Sequence, residues 1–320
     1  NNKKHVITAN KALIAKHGNY LSLLAEKNKV NLEFEASVAG GIPIIRGIKE
    51  GLVSNKISKL IGILNGTSNY ILTEMEHSGK KFSDVLKEAQ NSGFAEKNPK
   101  NDLNGNDVSS KIKILSSLCF KSLISNSKIL TNGIENIEVK DINIVKKLGY
   151  RIKLLGITEI INNNIFERVH PSLVRINSYI ANVNGVFNAT IISGKPVGQS
   201  VMQGEGAGPG PTTSSLISDL YSIIRGNIKN PFIVPHSKRK KIKIYNYNNY
   251  IYACYFRFEV KDKSGVLASI TNILAKNKIS IETLIQDPNK KNKTASIVII
   301  THKTTEKRVM NCIASINKNK

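Results

Sequence analysis

The stretch Ile57-Ser58-Lys59-Leu60-Ile61-Gly62-Ile63-Leu64-Asn65-Gly66-Thr67-Ser68-Asn69-Tyr70-Ile71-Leu72 decides the fold. Its first half is rich in β-branched and aliphatic residues and stops at the turn pair Asn65-Gly66, which predicts a strand over Ile57–Leu64. Thr67 offers a cap for a helix reaching Met75. A strand handing straight over to a helix is the repeating unit of an α/β fold, and the same alternation extends in both directions. Upstream, His5 to Asn10 predicts a short strand and turn. Leu13, Leu21 and Leu24 mark helical turns up to about Glu26. Val30 to Phe34 alternates with the period of a strand. Gly40-Gly41-Ile42-Pro43 breaks the chain, and Pro43 suits the first turn of a helix running to about Leu52. Downstream, helices are predicted over residues 82–90 and 107–120. Strands at 152–161, 165–170 and 189–192 imply a mixed sheet with helices on one face.

The segment from Gly204 to Pro211 is too rich in Gly and Pro for a regular element, and Thr212 and Thr213 then open a helix to about Arg225. Residues 227–250 are Asn- and Lys-rich, include the run Lys238-Arg239-Lys240-Lys241, and read as a linker at a domain boundary. Beyond it lie a strand (251–260), a helix (266–275), two strands (279–285 and 295–300) and a helix (309–316), the order βαββα.

The chain has 320 residues, 40% of them hydrophobic, enough for two or three domains each with a core. No run of 18 apolar residues is present to span a bilayer, and no secretory leader is visible. Cys119, Cys254 and Cys312 are sparse and far apart, with neither a disulfide framework nor zinc-ligand spacing. This points to a reducing, cytoplasmic setting. The net charge of +24 raises nucleic-acid binding as an alternative. Of the 47 basic residues, however, 39 are Lys, spread along the whole chain, and only 8 are Arg, the residue that forks onto phosphates and guanines. With no Trp and 6% aromatic residues, a solvated lysine-rich surface is the expectation. No specific nucleic-acid partner and no membrane partner are expected.

Four stretches could carry chemistry. Glu96, Asp102, Asp107 and Lys111 lie close together, with Gly105 between them. Asp107 and Lys111 are four residues apart and share a helical face. Carboxylates there can hold an ammonium group, and the lysine can exchange a proton with an alcohol or carbonyl. An ordinary helix ion pair has the same spacing. Lys11 ends a strand where a helix begins, the place where open α/β sheets put ligands, although surface lysines also occupy helix starts. The loop from Glu35 to Pro43 could offer main-chain oxygens and one carboxylate to a hard cation, or be a plain strand-to-helix turn. The glycine-rich loop from Gly204 to Gly210 precedes a helix, where exposed N–H groups attract phosphate. The dinucleotide fingerprint G-x-G-x-x-G after a first strand is absent.

In order along the chain, the stretches 6–11, 34–43, 62–70 and 93–96, the spacing of Asp102, Gly105, Asp107 and Lys111, and the Gly204–Gly208 loop resemble homoserine dehydrogenase over residues 3–226. Residues 251–317 resemble an ACT domain, the small amino-acid-sensing module, with Asp262 to Leu267 matching its first turn and Ser264 where proline is usual.

The resemblance implies an NAD(P)-dependent interconversion of L-homoserine and L-aspartate 4-semialdehyde. It implies Lys111 as proton donor and Lys11 as a catalytic residue lining the cofactor and substrate cleft. Glu96, Asp107 and Asp102 would bind substrate, Gly93 and Gly208 would contact the cofactor, and Glu35, Val38, Gly40 and Ile42 would form a sodium site. It further implies a homodimer or homotetramer and an amino-acid effector at the ACT module. The architecture it implies has three parts. Residues 1–36, completed by 204–226, would be the remnant of a Rossmann-type nucleotide-binding domain. Residues 37–203 would form an α+β substrate and dimerisation domain. After the 227–250 linker, residues 251–320 would form a ferredoxin-like ACT module short of its last strand. The missing first βαβ unit leads to the expectation of a chain truncated at both ends and weakly active. One departure is Asn98, where the family's pattern has Asp. A non-catalytic amino-acid sensor with a decayed dehydrogenase region is the alternative.

Overall fold

The strand–turn–helix unit at 57–75 sits at the centre of the first of two units, Asn1–Ile244 and Tyr245–Lys320. The computed structural model describes residues 3–226, 229–289 and 292–318. In the first unit Val6–Ile7 (β1) leads into Lys11–Lys27 (α1), and Leu32–Glu33 (β2) returns parallel to β1. Ile44–Arg46 (α2) continues into a wider helical turn, Gly47–Gly51. Then follow Lys56–Ile63 (β3), Gly66–Ser78 (α3), Phe82–Asn91 (α4), Lys100–Leu103 (α5) and Asn106–Phe120 (α6). Leu130–Thr131 (β4), Val139–Lys147 (α7), Tyr150–Ile161 (β5), Asn164–Arg175 (β6), Phe187–Lys195 (β7), Gly198–Glu205 (β8) and Pro209–Ile224 (α8) complete the regular elements.

The sheet has the order β4-β6-β5-β3-β7-β8. Only the β4–β6 pair is parallel, so the mixed sheet expected from sequence is present. Leu60 and Ile63 of β3, Ile112 and Leu115 of α6, Ile71 of α3 and Phe166 of β6 are buried in its core.

In the second unit Ile251–Tyr252 (β9) and Tyr255–Lys261 (β10) precede Val266–Lys276 (α9). Ile281–Asn289 (β11), Thr294–Thr301 (β12), Thr304–Thr305 (β13) and Glu306–Lys318 (α10) follow. The strands β10-β12-β11 form an antiparallel sheet, and β13 pairs with β9. Phe256, Ile270, Leu274, Ile297, Ile299, Val309 and Cys312 form the core of this unit. The expected βαββα order is present, with the predicted 251–260 strand broken after Tyr252.

Three sequence expectations are corrected. The helix after β3 is capped by Asn65, whose Oδ1 accepts from Ser68 N at 2.8 Å, and not by Thr67. The Gly204–Pro211 segment is part strand and part helix. Gly204 and Glu205 pair with Asn188 and Phe187 of β7, and α8 starts at Pro209, because proline lacks the N–H that a helix start leaves unused anyway.

The third correction concerns the linker expected over 227–250, which in its described part, residues 229–250, is not free. Phe232 is fully buried with its ring 5.2 Å from that of Phe34. Arg239, also buried, bonds Ser22 and Asn19 of α1 and Ser117 and Ser122 at the end of α6. The boundary falls after Ile244.

Candidate functional site

Gly105 starts α6 in a left-handed conformation (φ +82°), which a glycine adopts without strain. Asp107 then falls in the first helical turn and Lys111 one turn later on the same face. Lys111 Nζ lies 2.8 Å from Asp107 Oδ2 and donates to the carbonyl of Leu64, just past β3, at 2.6 Å. Lys11, the first residue of α1, reaches the other carboxylate oxygen, with Nζ 2.9 Å from Asp107 Oδ1. One carboxylate therefore holds two ammonium groups carried by two different helices. Asn65 joins them, its Nδ2 donating to Asp107 Oδ2 at 3.0 Å and to Asp102 Oδ1 at 2.7 Å. Ser68 Oγ donates to the Asp102 carbonyl at 2.8 Å.

Of the three charged side chains, Lys11 is the one that solvent reaches. The Lys11 side chain is 44% exposed, against 5% for Asp107 and 10% for Lys111. Burial alone would raise the Asp107 carboxyl, but the Lys111 and Lys11 charges and the hydrogen bonds from Asn65 and Lys111 bring it down to about 2. Burial likewise works to lower the Lys11 ammonium, and Asp107, with Asp102 and Glu96 at longer range, raises it instead. Asp102 is pushed up, first by burial and then by the Asp107 charge, against the Asn65 hydrogen bond. The arrangement is a buried, ionised aspartate between two lysines, beside a second carboxyl that burial pushes up.

Glu96 is exposed and makes no side-chain hydrogen bond among the described residues; it acts on Lys11 through charge. Its loop is fastened to α3. Thr67 Oγ1 donates to Phe94 O at 2.7 Å, and the rings of Tyr70 and Phe94 lie 4.8 Å apart. Gly93 begins this loop with φ +77° and an open surface.

The two glycine loops that the sequence set apart meet in space. Gly41 N donates to Glu205 O at 3.0 Å, and Ser215 Oγ to Gly40 O at 2.6 Å. A Cβ on Gly40 would lie 2.6 Å from Gly206 O, so only glycine permits the approach. Gly208 precedes α8 at the exposed, positive end of that helix. Pro209 and Pro211 have no N–H, so what this helix start offers an anionic group such as a phosphate is its dipole and the backbone of Gly208 and Gly210.

The Glu35 carboxylate does not fit the cation role read from sequence, because its two oxygens accept from Ile45 N at 2.8 Å and Arg46 N at 2.7 Å. Burial pushes this carboxyl up to about 7, against those two hydrogen bonds. What Glu35, Val38, Gly40 and Ile42 can offer a sodium ion is their main-chain oxygens, which suit a hard cation. Among the described residues no group of three or more His, Cys, Asp or Glu could hold a metal.

Sequence reasoning missed Asn65 as a site residue. The pair Asn65-Gly66 was legible as a turn, but the amide's reach to two carboxylates is set by α5 and α6 packing on α3. Asn188, a buried amide under Gly206, is likewise a residue that no spacing rule singles out.

Comparison with known proteins gives consistent results. A family model for homoserine dehydrogenase matches residues 43–221, and one for the ACT domain matches residues 255–316. The homoserine dehydrogenase of Neisseria gonorrhoeae is 43% identical over 98% of this chain and 74% of its own length. The crystal structure of a homoserine dehydrogenase from Thiobacillus denitrificans superposes with a TM-score of 0.91 at 41% identity, covering 98% of this chain and 73% of that one. A hyperthermophilic archaeal homoserine dehydrogenase in complex with NADPH superposes with a TM-score of 0.60 at 27% identity, over 70% of this chain and 66% of that one.

Proposed function

This chain belongs to the homoserine dehydrogenase family of NAD(P)-dependent oxidoreductases, and from that premise we propose that the Lys11–Asp107–Lys111 cluster carries the interconversion of L-homoserine and L-aspartate 4-semialdehyde. The observation behind this reading is the single buried aspartate that anchors two lysines at one end of the sheet. The bound nicotinamide cofactor supplies the hydride acceptor in one direction and the donor in the other. Lys111 serves the substrate oxygen. An ammonium has three protons, and two of them are directed to Asp107 and Leu64, leaving one for the oxygen of the aldehyde as it becomes an alcohol. In the reverse direction the neutral amine takes the hydroxyl proton. Lys11 adds a second positive charge beside the developing alkoxide and lines the cleft.

Both Asp107 oxygens are occupied, so its role in this reading is to hold the lysines. The substrate ammonium is left to Glu96 and Asp102, and Asp102 has one oxygen outside the Asn65 contact. Gly93 and Gly208 present bare backbone to the cofactor, and main-chain oxygens of Glu35, Val38, Gly40 and Ile42 are the donors for sodium. A small amino acid is the ligand class for the ACT unit, supported by the family match over 255–316. A dimer or tetramer and a cytoplasmic setting belong to the same reading. No helix among the described residues is long and apolar enough to cross a membrane. The intact lysine–aspartate cluster disfavours a non-catalytic sensor.

The test is Lys111→Ala in the full-length protein. Turnover should fall by about 10²–10⁴-fold, the usual contribution of a positioned acid–base group, while NADPH binding is retained. Wild-type turnover in the variant removes Lys111 from the proton-donor role.

A further inference from the structure

Asn188 lies on β7 and is 1% exposed, yet neither Oδ1 nor Nδ2 has a hydrogen-bond partner among the described residues. Buried amides are nearly always paired, because leaving one unpaired costs stability. The strand that carries it is fixed from three sides. Asn188 pairs with Gly204 of β8. Its neighbour Ala189 pairs with Ile63, which sets Asn188 beside Leu64, the residue whose carbonyl takes Lys111. Phe187, just before it, has its carbonyl held by Asn69 Nδ2 at 3.2 Å. Above the amide lies the backbone of Gly206, so close that a Cβ there would sit 2.0 Å from Nδ2. Thr190, on the same face of the strand, has an unpartnered buried hydroxyl. The strand thus presents the unsatisfied Asn188 amide to the backbone of Gly206, with Leu64, whose carbonyl accepts from Lys111, beside it at the end of the neighbouring strand.

We propose that Asn188 is a positioning residue for the cofactor: when the dinucleotide binds, the Gly206–Gly208 backbone, which already lies against the Asn188 amide, turns its polar groups onto that amide, and the hydrogen bonds formed there only in the loaded enzyme align the loop beside Lys111. The proposal rests on the dehydrogenase reading above. A contact made in the loaded state alone adds its free energy to cofactor binding and none to the free protein.

The experiment is Asn188→Leu, which keeps the side chain's shape and removes both polar atoms, in the full-length protein. The melting temperature of the free protein should stay the same or rise, since an unpaired amide has been replaced by an apolar group. The NADPH dissociation constant, from a fluorescence titration, should rise about tenfold, the scale of one or two hydrogen bonds. The KM for the dinucleotide should rise with it while the KM for homoserine holds.

An unchanged NADPH dissociation constant overturns the proposal. So does a lowered melting temperature, which would mean that the amide already has its partners in the free protein. Wild-type protein that binds no NADPH overturns the dehydrogenase reading and this proposal together, whereas wild type and variant binding equally well overturns this proposal alone.

Discussion

Asp107 shows what a single side chain contributes and how much of that was readable. Its spacing to Lys111 is visible in the sequence, because positions four apart must meet on a helix. The contact to Lys11 is not, since it depends on how α1 packs against α6. The two cations have a consequence for acid stability. Asp107 titrates at about 2 in the folded protein and at about 4 in an unfolded chain. A depressed carboxyl stabilises the fold above the unfolded value, and that contribution is lost as pH falls through the folded value. Asp107→Asn should therefore be less stable than wild type by about 2 kcal/mol at pH 7. The gap should close as the pH drops from about 4 toward 2. Urea denaturation of both proteins across that range checks it, and a gap independent of pH would show that the ion pairs are not its source.

At the scale of elements, the segment after α8 was the hardest to read. Its Asn and Lys content has the composition of a linker, and the two residues that tie it down, Phe232 and Arg239, are scattered among polar neighbours. Arg239 stacks on the Phe232 ring at 4.1 Å, and its guanidinium bonds both helices that carry the lysines. His236 N adds bonds to the Glu26 carboxylate of α1. The segment is a strap across α1 and α6. Arg239→Ala should cost about 3 kcal/mol, because several buried acceptors lose their donor together. Arg239→Lys should recover little of it, since a single ammonium cannot span the same fork. Denaturant unfolding of the three proteins gives the comparison. Helices α1, α3, α4 and α6 were legible from apolar spacing, whereas β8 was hidden because glycine weakens every strand signal.

For the molecule as a whole, the βαββα order of the C-terminal part was legible from its own alternation of strands and helices, whereas the rest was read from sequence as two parts, 1–36 with 204–226 and 37–203, and Asn1–Ile244 is one compact unit. The family was legible too, from motifs whose order along the chain is as informative as their content. Net charge was the misleading global property. A +24 chain with 39 lysines and 8 arginines has the field of a nucleic-acid binder without the planar groups that read bases. Binding to duplex DNA should be measurable at low salt, fall steeply as salt rises, and show no preference among sequences. A gel-shift series from about 20 to 200 mM salt with two unrelated duplexes decides it. Tight, sequence-selective binding near the upper end would contradict the picture of a merely solvated surface.

The Asn65 side chain closes the first turn of α3 and, through the same amide, tethers Asp102 and Asp107. That amide is 6% exposed, so water cannot readily take over its bonds. Asn65→Ala should therefore weaken the start of the helix and leave both carboxylates short of a donor at once, a coupling that a urea-denaturation comparison with wild type would register as a single loss of stability.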